Sequence, residues 1–444
     1  MKEHLIELIE QNKFAQVKNT IVQMNEVDIA TFLEELERPK LLMVFRLLPK
    51  EIAADVFSYF SYEMQAYIVE SITDKETESI LDLLFLDDVV DLIEEVPSNV
   101  VKKVLKNTDL ERRALINQFL QYPEDSAGSI MTVEYVDLKA SMTVKEALYH
   151  IKKTGVDKAT INTCYVTDSR RMLEGVISIH KLILSDDDEI VGELMDRQFI
   201  YAHTLEDRES TAALFKKYDL LSIPVVDNEK RLVGIVTIDD IVDVIDLETT
   251  EDMQIMAAMQ PSEEEYLKTS VWNLSKHRIM WLMILMFTAI VTGSIIKKYN
   301  NLLESALILS TFIPMLMDTG GNSGAQSSTL VIRGLALGEI ETKDVLKVIW
   351  KELRVGLLVG FALSVVNFLR LLLISRVDLM IALAVCFSLY CTVVLAKLIG
   401  GFLPILARKL KLDPAIMAGP LITTIVDVCS LTIFFNISSK LLNI

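Results

Sequence analysis

Three regimes of apolar spacing follow one another along the 444 residues. Up to about residue 125, apolar side chains recur at intervals of three and four, as in Leu81, Leu84, Phe85, Val89, Leu92, Ile93 and Val96. That is helix spacing. Pro39, Pro49 and Pro97 punctuate this stretch about one short helix apart. The phrases Leu47–Leu48–Pro49–Lys50–Glu51 and Glu95–Val96–Pro97–Ser98–Asn99 echo each other. The pattern predicts a small superhelical array of short helices, with a plain helical bundle as the alternative. From about Gly128 the apolar runs shorten and become strand-like. Beyond Lys276 they lengthen into blocks that are nearly continuous.

In the middle regime, Ile223–Pro224–Val225–Val226–Asp227 and Leu232–Val233–Gly234–Ile235–Val236–Thr237 predict two strands around an Asn228–Glu229–Lys230 turn. Asp239 and Asp240 then open a helix over Ile241–Leu247, where acids suit the N-terminal dipole. An earlier copy runs through Thr163–Cys164–Tyr165–Val166–Thr167–Asp168 and Leu173–Glu174–Gly175–Val176–Ile177–Ser178. Helix starts precede the copies, at Met142–Thr143–Val144 and at Thr204–Leu205. Two copies of strand, turn, strand and helix resemble a pair of CBS modules. Such pairs often bind adenosine nucleotides through an acid after the Thr. The second copy keeps that pattern at Thr237, Asp239 and Asp240, whereas Ile179, His180 and Lys181 follow Ser178 in the first. The resemblance with this departure implies weak or absent ATP binding.

A bilayer-crossing helix needs about 20 mostly apolar residues. Five stretches qualify: Ile279–Ile296, Leu302–Leu337, Val355–Ile374, Leu379–Leu406 and Ile416–Leu431. The second is long enough to be broken, and its glycine cluster is the expected break. Met1–Glu10 is charged and helical in pattern, so the soluble part is expected to stay in the cytosol. With the N-terminus inside, ten flanking basic residues fall inside and five outside, which agrees with that orientation.

Charge sharpens the division. Residues 276–444 carry 16 basic and 9 acidic groups, and residues 1–275 carry 28 and 53. A soluble region this acidic argues against nucleic acid, whose phosphates need cations. It suits hard cations held by carboxylates. Of four cysteines, Cys386, Cys391 and Cys429 lie in apolar segments and Cys164 in a strand, without metal-ligand spacing. They read as small hydrophobes.

Polar groups inside the apolar blocks carry the candidate chemistry. Asp318–Thr319–Gly320–Gly321–Asn322–Ser323–Gly324–Ala325–Gln326 interrupts the second block, and Asp427 lies deep in the last. Such residues are costly in hydrocarbon, and by default they mark an ion or substrate pathway. No inverted repeat of the kind secondary transporters show is visible, which leans toward a channel.

Taken together, Pro314–Met315–Leu316–Met317–Asp318–Thr319–Gly320–Gly321–Asn322, Asp413–Pro414–Ala415, Thr423–Thr424–Ile425–Val426–Asp427 and Tyr122–Pro123–Glu124–Asp125–Ser126–Ala127–Gly128 resemble the MgtE family of magnesium channels and transporters. The resemblance covers nearly the whole chain. It implies a mostly α protein: an all-helical superhelical domain over 1–127, an α/β CBS pair over 128–249, a linking helix over 250–276, and five transmembrane helices over 277–444. It also implies a homodimer in the plasma (inner) membrane, in contact with lipid, with its N-terminal domains in the cytosol and a pore on the two-fold axis.

The resemblance further implies Mg2+ as both substrate and regulator. Asp427 matches the pore aspartate that selects the ion. Thr423, Thr424, Gly320, Gly321, Asn322 and Gly324 would line the pore. Asp55, Asp87, Asp91, Asp219, Asp240, Asp243, Glu248, Glu251 and Asp252 would hold regulatory magnesium, and Asp413 would be a further metal ligand. Magnesium keeps most of its waters and is bound through one or two carboxylates, so a pair of Asp427 side chains at a dimer axis suits a hydrated ion. Pro414 and Pro420 would free backbone carbonyls nearby. Gly419 stands where some members carry a polar residue.

Other functions fare less well. A membrane metalloprotease would need His-Glu-x-x-His within a span, and His4, His150, His180, His203 and His277 all lie outside the apolar cores. An anion channel would favour basic pore groups. A carrier for Co2+ or Mn2+ and a non-transporting membrane sensor stay open as alternatives. Nothing points to an enzyme.

Overall fold

Short helices capped by proline and by side chains build the N-terminal half. The computed structural model describes residues 2–262, 266–267 and 269–442. It divides into two compact units, Met1–Ile245 and Asp246–Ile444.

The first unit begins with helices of no more than ten residues, from α1 (Lys2–Glu10) to α10 (Leu110–Phe119). Pro39 lies in the first turn of α4 (Arg38–Phe45). Pro49 and Pro97 sit at the N-caps of α5 (Lys50–Ser58) and α9 (Ser98–Lys106), where a missing N–H costs nothing. Alternate helices touch. α3 (Glu26–Glu34) meets α5, α5 meets α7 (Asp74–Leu81), and α7 meets α9; α6 (Tyr62–Ser71) meets α8 (Leu86–Glu95), and α8 meets α10. This is the stacked array the sequence pattern predicts. Helix α8 buries Leu86, Val89, Val90, Leu92 and Ile93 and lays its acids along the other side.

Two small sheets with the same topology follow. In the first, β1 (Asp137–Leu138) runs parallel to β2 (Thr163–Thr167), which is antiparallel to β3 (Leu173–Ser178). Helix α11 (Val144–Thr154) leads into β2 from a capping box at Thr143 and Glu146, and α12 (Ile179–Leu184) and α13 (Val191–Leu194) follow β3. The second sheet repeats this with β4 (Ala202–His203), β5 (Ser222–Val226) and β6 (Leu232–Thr237). Each hairpin slips register at the same place, Val166/Thr167 and Val225/Val226. Helix α14 (Arg208–Tyr218) starts after Thr204–Leu205, because the Asp207 carboxylate accepts from the Ser210 N–H at 3.0 Å and so fixes the cap. The second sheet shares one apolar core with the helical array through Ile223, Val225, Val236 and Ile241, while the first keeps its own core around Leu138, Val166 and Ile177.

The predicted linking helix over 250–276 is not one helix. Helix α15 spans Ile238–Met256 and ends there. Ala258 turns left-handed at φ 55°, and the Met259 N–H reaches back to the Gln254 carbonyl. That closure ends a helix, and Pro261 shortly beyond cannot extend it.

Among the described residues of the second unit, four helical segments are long and apolar enough to cross a membrane: Val271–Lys298, Thr342–Leu373, Leu379–Lys409 and Pro414–Leu442. They contain α16 (Val271–Lys298), α19 (Val345–Leu373), α20 (Leu379–Lys409) and α21 (Gly419–Leu442). The predicted span Leu302–Leu337 is instead divided into α17 (Asn300–Ser305), a 3-10 turn at Leu307–Phe312 and α18 (Ile313–Ala336). The break falls at Ala306 (φ −140°, ψ 71°), with Pro314 starting the next helix, and not at the glycines, which are helical in the middle of α18. Helix α20 packs against α18, α19 and α21.

Candidate ion pathway and acidic sites

Glycine lets α18 press against its neighbours. A Cβ on Gly320 would stand 2.7 Å from Thr392 Cγ2 and 2.9 Å from Ser430 Oγ. One on Gly321 would stand 3.0 Å from Thr423 Cγ2, and one on Gly324 would stand 2.8 Å from Ile422 Cγ2. These three predicted pore-lining glycines are therefore buried in the seams with α20 and α21, where close approach requires them. The opposite face is polar and open: Asp318, Asn322 and Gln326, each four residues from the last, are all exposed. The Asn322 amide donates to Asp318 Oδ1 at 3.2 Å.

Asp427 is half-buried on α21, and Asp318 is near enough to act on it electrostatically. Asp318 was legible in the glycine motif, but no role followed from the motif alone. Thr423 and Thr424 both donate their hydroxyls to the Pro420 carbonyl at 2.9 Å. The Pro420 carbonyl is thus shared by two hydroxyls, and what the threonines present is hydroxyl lone pairs.

In the first unit, α8 and the start of α15 bring together Asp87, Asp88, Asp91 and Asp240. Burial pushes Asp87 well above the usual carboxylate range, helped by Asp88, Asp240 and Glu134. Its Oδ1 is buried with no hydrogen-bond partner among the described residues. Asp88 rises to about 6 through burial and Asp240, and Asp91 to about 7 through surrounding protein, Asp88 and Glu94. Asp91 keeps its side-chain surface exposed, so solvent screens it best. Asp240 also rises to about 6 through burial, although Thr237 Oγ1 donates to its Oδ2 at 2.5 Å, and Asp243 adds charge. Asp88 and Glu134 are members the sequence reading missed. Their signal was weak, an acid beside an acid and a lone Glu in a loop.

Asp55 belongs elsewhere. It is exposed on α5, raised by partial burial and by Glu26 and Glu51. Asp219 is the left-handed C-cap of α14 (φ 51°), at the edge of a cavity of about 730 Å³ between the two sheets. His180 and Lys181 line the same cavity, and the Lys181 ammonium donates to the Leu194 carbonyl.

A second acidic group lies in the second unit. Asp252 of α15 is raised by burial, then by Asp413 and Glu248, and is partly offset by Arg333. Glu251 neighbours it in sequence on the same helix. Asp413 caps the turn at Pro414–Met417, its Oδ1 accepting from the Ala415 N–H at 2.8 Å. Among the described residues, no three His, Cys, Asp or Glu side chains are arranged to hold a metal ion.

A bundle of long apolar helices with a polar helical face, in one chain with a stacked helical array and a CBS pair, is the architecture of a membrane transporter. Sequence profiles agree: one described as divalent cation transporter matches residues 313–437, one for the MgtE intracellular N domain matches 24–125, and one for the CBS domain matches 191–247. The chain is 35% identical to "Magnesium transporter MgtE" of Thermus thermophilus over 99% of its own length and 98% of that protein's. It is 31% identical to the protein of the same name from Bacillus subtilis, over 99% and 97%. It therefore belongs to the MgtE family, whose members are transporters rather than enzymes. The N-terminal half is also similar (TM-score 0.53, 34% identity, 55% of this chain and 100% of the other) to a crystal structure of the cytosolic domain of the Mg2+ channel MgtE in complex with ATP. That complex cuts against the expectation of weak or absent ATP binding drawn from His180 and Lys181.

Proposed function

We propose that the chain imports Mg2+ across the plasma membrane as a homodimer, through a pathway on the two-fold axis lined by α18 and α21. The carrying observation is the exposed stripe Asp318–Asn322–Gln326 beside Asp427, on a bundle whose outer helix α16 is apolar and has no buried residue. A polar stripe facing lipid is untenable, so it must meet protein or water. A second copy of the same face supplies both, since a two-fold axis opposes identical surfaces. Carboxylate and amide oxygens suit a hard, hydrated ion. The transport named for the two full-length relatives supports the choice of magnesium.

The acidic groups act as sensors in this reading, with the N-terminal unit in the cytosol. Magnesium bound at Asp87, Asp88, Asp91 and Asp240, and between Asp252 and Asp413, offsets like-charge repulsion and favours a shut state. At low magnesium the repulsion returns. The ion shifts the equilibrium only by its different affinity for the two states. ATP is a ligand for the 730 Å³ cavity, where Lys181 offers a cation to phosphate. The test is uptake into vesicles holding a fluorescent magnesium reporter, with Co2+ and Mn2+ as competitors. Preferred uptake of either competitor makes the chain a carrier for that ion, and no uptake of any ion makes it a sensor.

A further inference from the structure

Two buried charged side chains are unused by that pathway. Lys397 of α20 and Glu352 of α19 are 5% and 9% exposed, both within apolar helices. A lone ammonium there carries a heavy desolvation penalty. Its partners are specific. Lys397 Nζ donates to Gln326 Oε1 at 3.2 Å, and Glu352 Oε2 accepts from Ser327 Oγ at 2.5 Å. Gln326 and Ser327 are consecutive on α18, so both charges meet the same turn of the helix that carries Asp318 and Asn322.

Glycine makes the meeting possible. A Cβ on Gly401 would stand 2.9 Å from Glu352 Cγ, and one on Gly356 would stand 3.1 Å from Val394 Cα and 3.5 Å from Lys397 Cβ. Glu352 lies one turn from Gly356 on α19 and Lys397 one turn from Gly401 on α20, so the carboxylate and the ammonium share one seam without a direct ion pair. Gln326 is the exposed member of the stripe two turns beyond Asp318. The ammonium thus ends at the edge of the stripe, where an uncancelled positive charge repels a divalent cation.

We propose that Glu352 is a counter-charge residue for conduction: it cancels Lys397, so that the ammonium anchors Gln326 without opposing the passing ion. This rests on reading the stripe and Asp427 as the pathway. In hydrocarbon there is little salt to screen the charge, and its effect on an ion is proportional to that ion's valence.

The experiment compares Mg2+ uptake into vesicles over a range of Mg2+ concentrations for wild type, Glu352→Gln, Lys397→Met, the double variant and Asp427→Ala. Folding is checked by monodispersity in detergent. Glu352→Gln is isosteric and keeps an acceptor for Ser327, so a packing role predicts no change. The counter-charge role predicts uptake reduced at least about tenfold with a raised KM, and uptake restored to within about threefold of wild type in the double variant. Lys397→Met is expected to transport with a lowered KM. Wild-type uptake by Glu352→Gln, or a folded double variant no better than Glu352→Gln, overturns the proposal. If Glu352→Gln does not fold, loss of uptake by a folded Lys397→Met overturns it. Unchanged uptake by Asp427→Ala overturns the pathway reading instead, which separates the two failures.

Discussion

The carbonyl oxygen of Met256 lies 2.7 Å from where a Cβ on Gly419 would stand, and Gly419 itself holds φ at +37°. The last residue of α15 therefore abuts the first residue of α21, the helix that carries Asp427. A side chain at 419 is opposed twice, by backbone strain and by contact with a carbonyl that cannot rotate away. The absence of a polar residue at this position is a backbone requirement. Gly419→Ala should displace the end of α15 and weaken closure. Uptake at millimolar internal magnesium should rise relative to wild type, with ion preference unchanged. Wild-type closure in Gly419→Ala would detach this contact from gating.

Asp427→Ala tests the pathway directly. The carboxylate is half-buried and has no role in core packing, so the variant should fold as wild type and lose most magnesium uptake. Asp318→Asn should lower uptake less, because Asn322 already shares its charge through the 3.2 Å hydrogen bond. Equal uptake by wild type and Asp427→Ala would remove α21 from the pathway.

The glycines divide by what they touch. A Cβ on Gly400 would stand 2.2 Å from the Gly324 carbonyl oxygen, while Gly293 has nothing within 4 Å. Gly400→Ala should fail to give a folded bundle or lower its melting temperature by several degrees, as overpacking against backbone costs about 1–3 kcal/mol or more. Gly293→Ala should be neutral or slightly stabilising, since alanine is favoured over glycine in a helix by up to about 1 kcal/mol. Equal melting temperatures in detergent would mean that the seam relaxes.

These distinctions show where the sequence was readable. The repeated hairpins were legible because each is a local alternation closed by a short turn. The stacked helices were legible from Pro49 and Pro97, which mark helix starts whatever the tertiary context. The role of Gly320, Gly321 and Gly324 was not, because a glycine that breaks a helix and one that packs a seam look alike until the neighbours Thr392, Thr423 and Ile422 are in place. The acidic cluster was half legible. Asp87 and Asp91 share a helix face, but the link from α8 to Asp240, and the separation from Asp55, arise between residues far apart in the chain. The end of the linker at Met256 depends on Ala258, whose left-handed turn no composition signals.

The last prediction uses the sign of the raised carboxylates. Asp88 and Asp240 titrate near 6 and Asp91 near 7 in the folded chain, against about 4 when unfolded. A raised folded-state value means the folded chain holds its protons more tightly. Their contribution is then fully present below about pH 4 and is lost as pH rises toward 7. Exposed pairs such as Asp74 with Lys106 shift the opposite way but lie in solvent and contribute little. Without magnesium, the melting temperature of the N-terminal unit in the full-length protein should fall by several degrees between pH 5 and pH 8. Millimolar magnesium should restore it at pH 8 and do little at pH 5, where protons already occupy the carboxylates. Millimolar magnesium should also protect residues 252–276 from proteolysis, and neutralising Asp87, Asp91, Asp243 and Glu251 together should flatten both responses and reduce that protection. It should also alter closure while leaving ion selectivity to Asp427. A pH profile that rises toward 8 without magnesium, or a quadruple variant with undiminished protection, would return these acids to the role of a solvated surface.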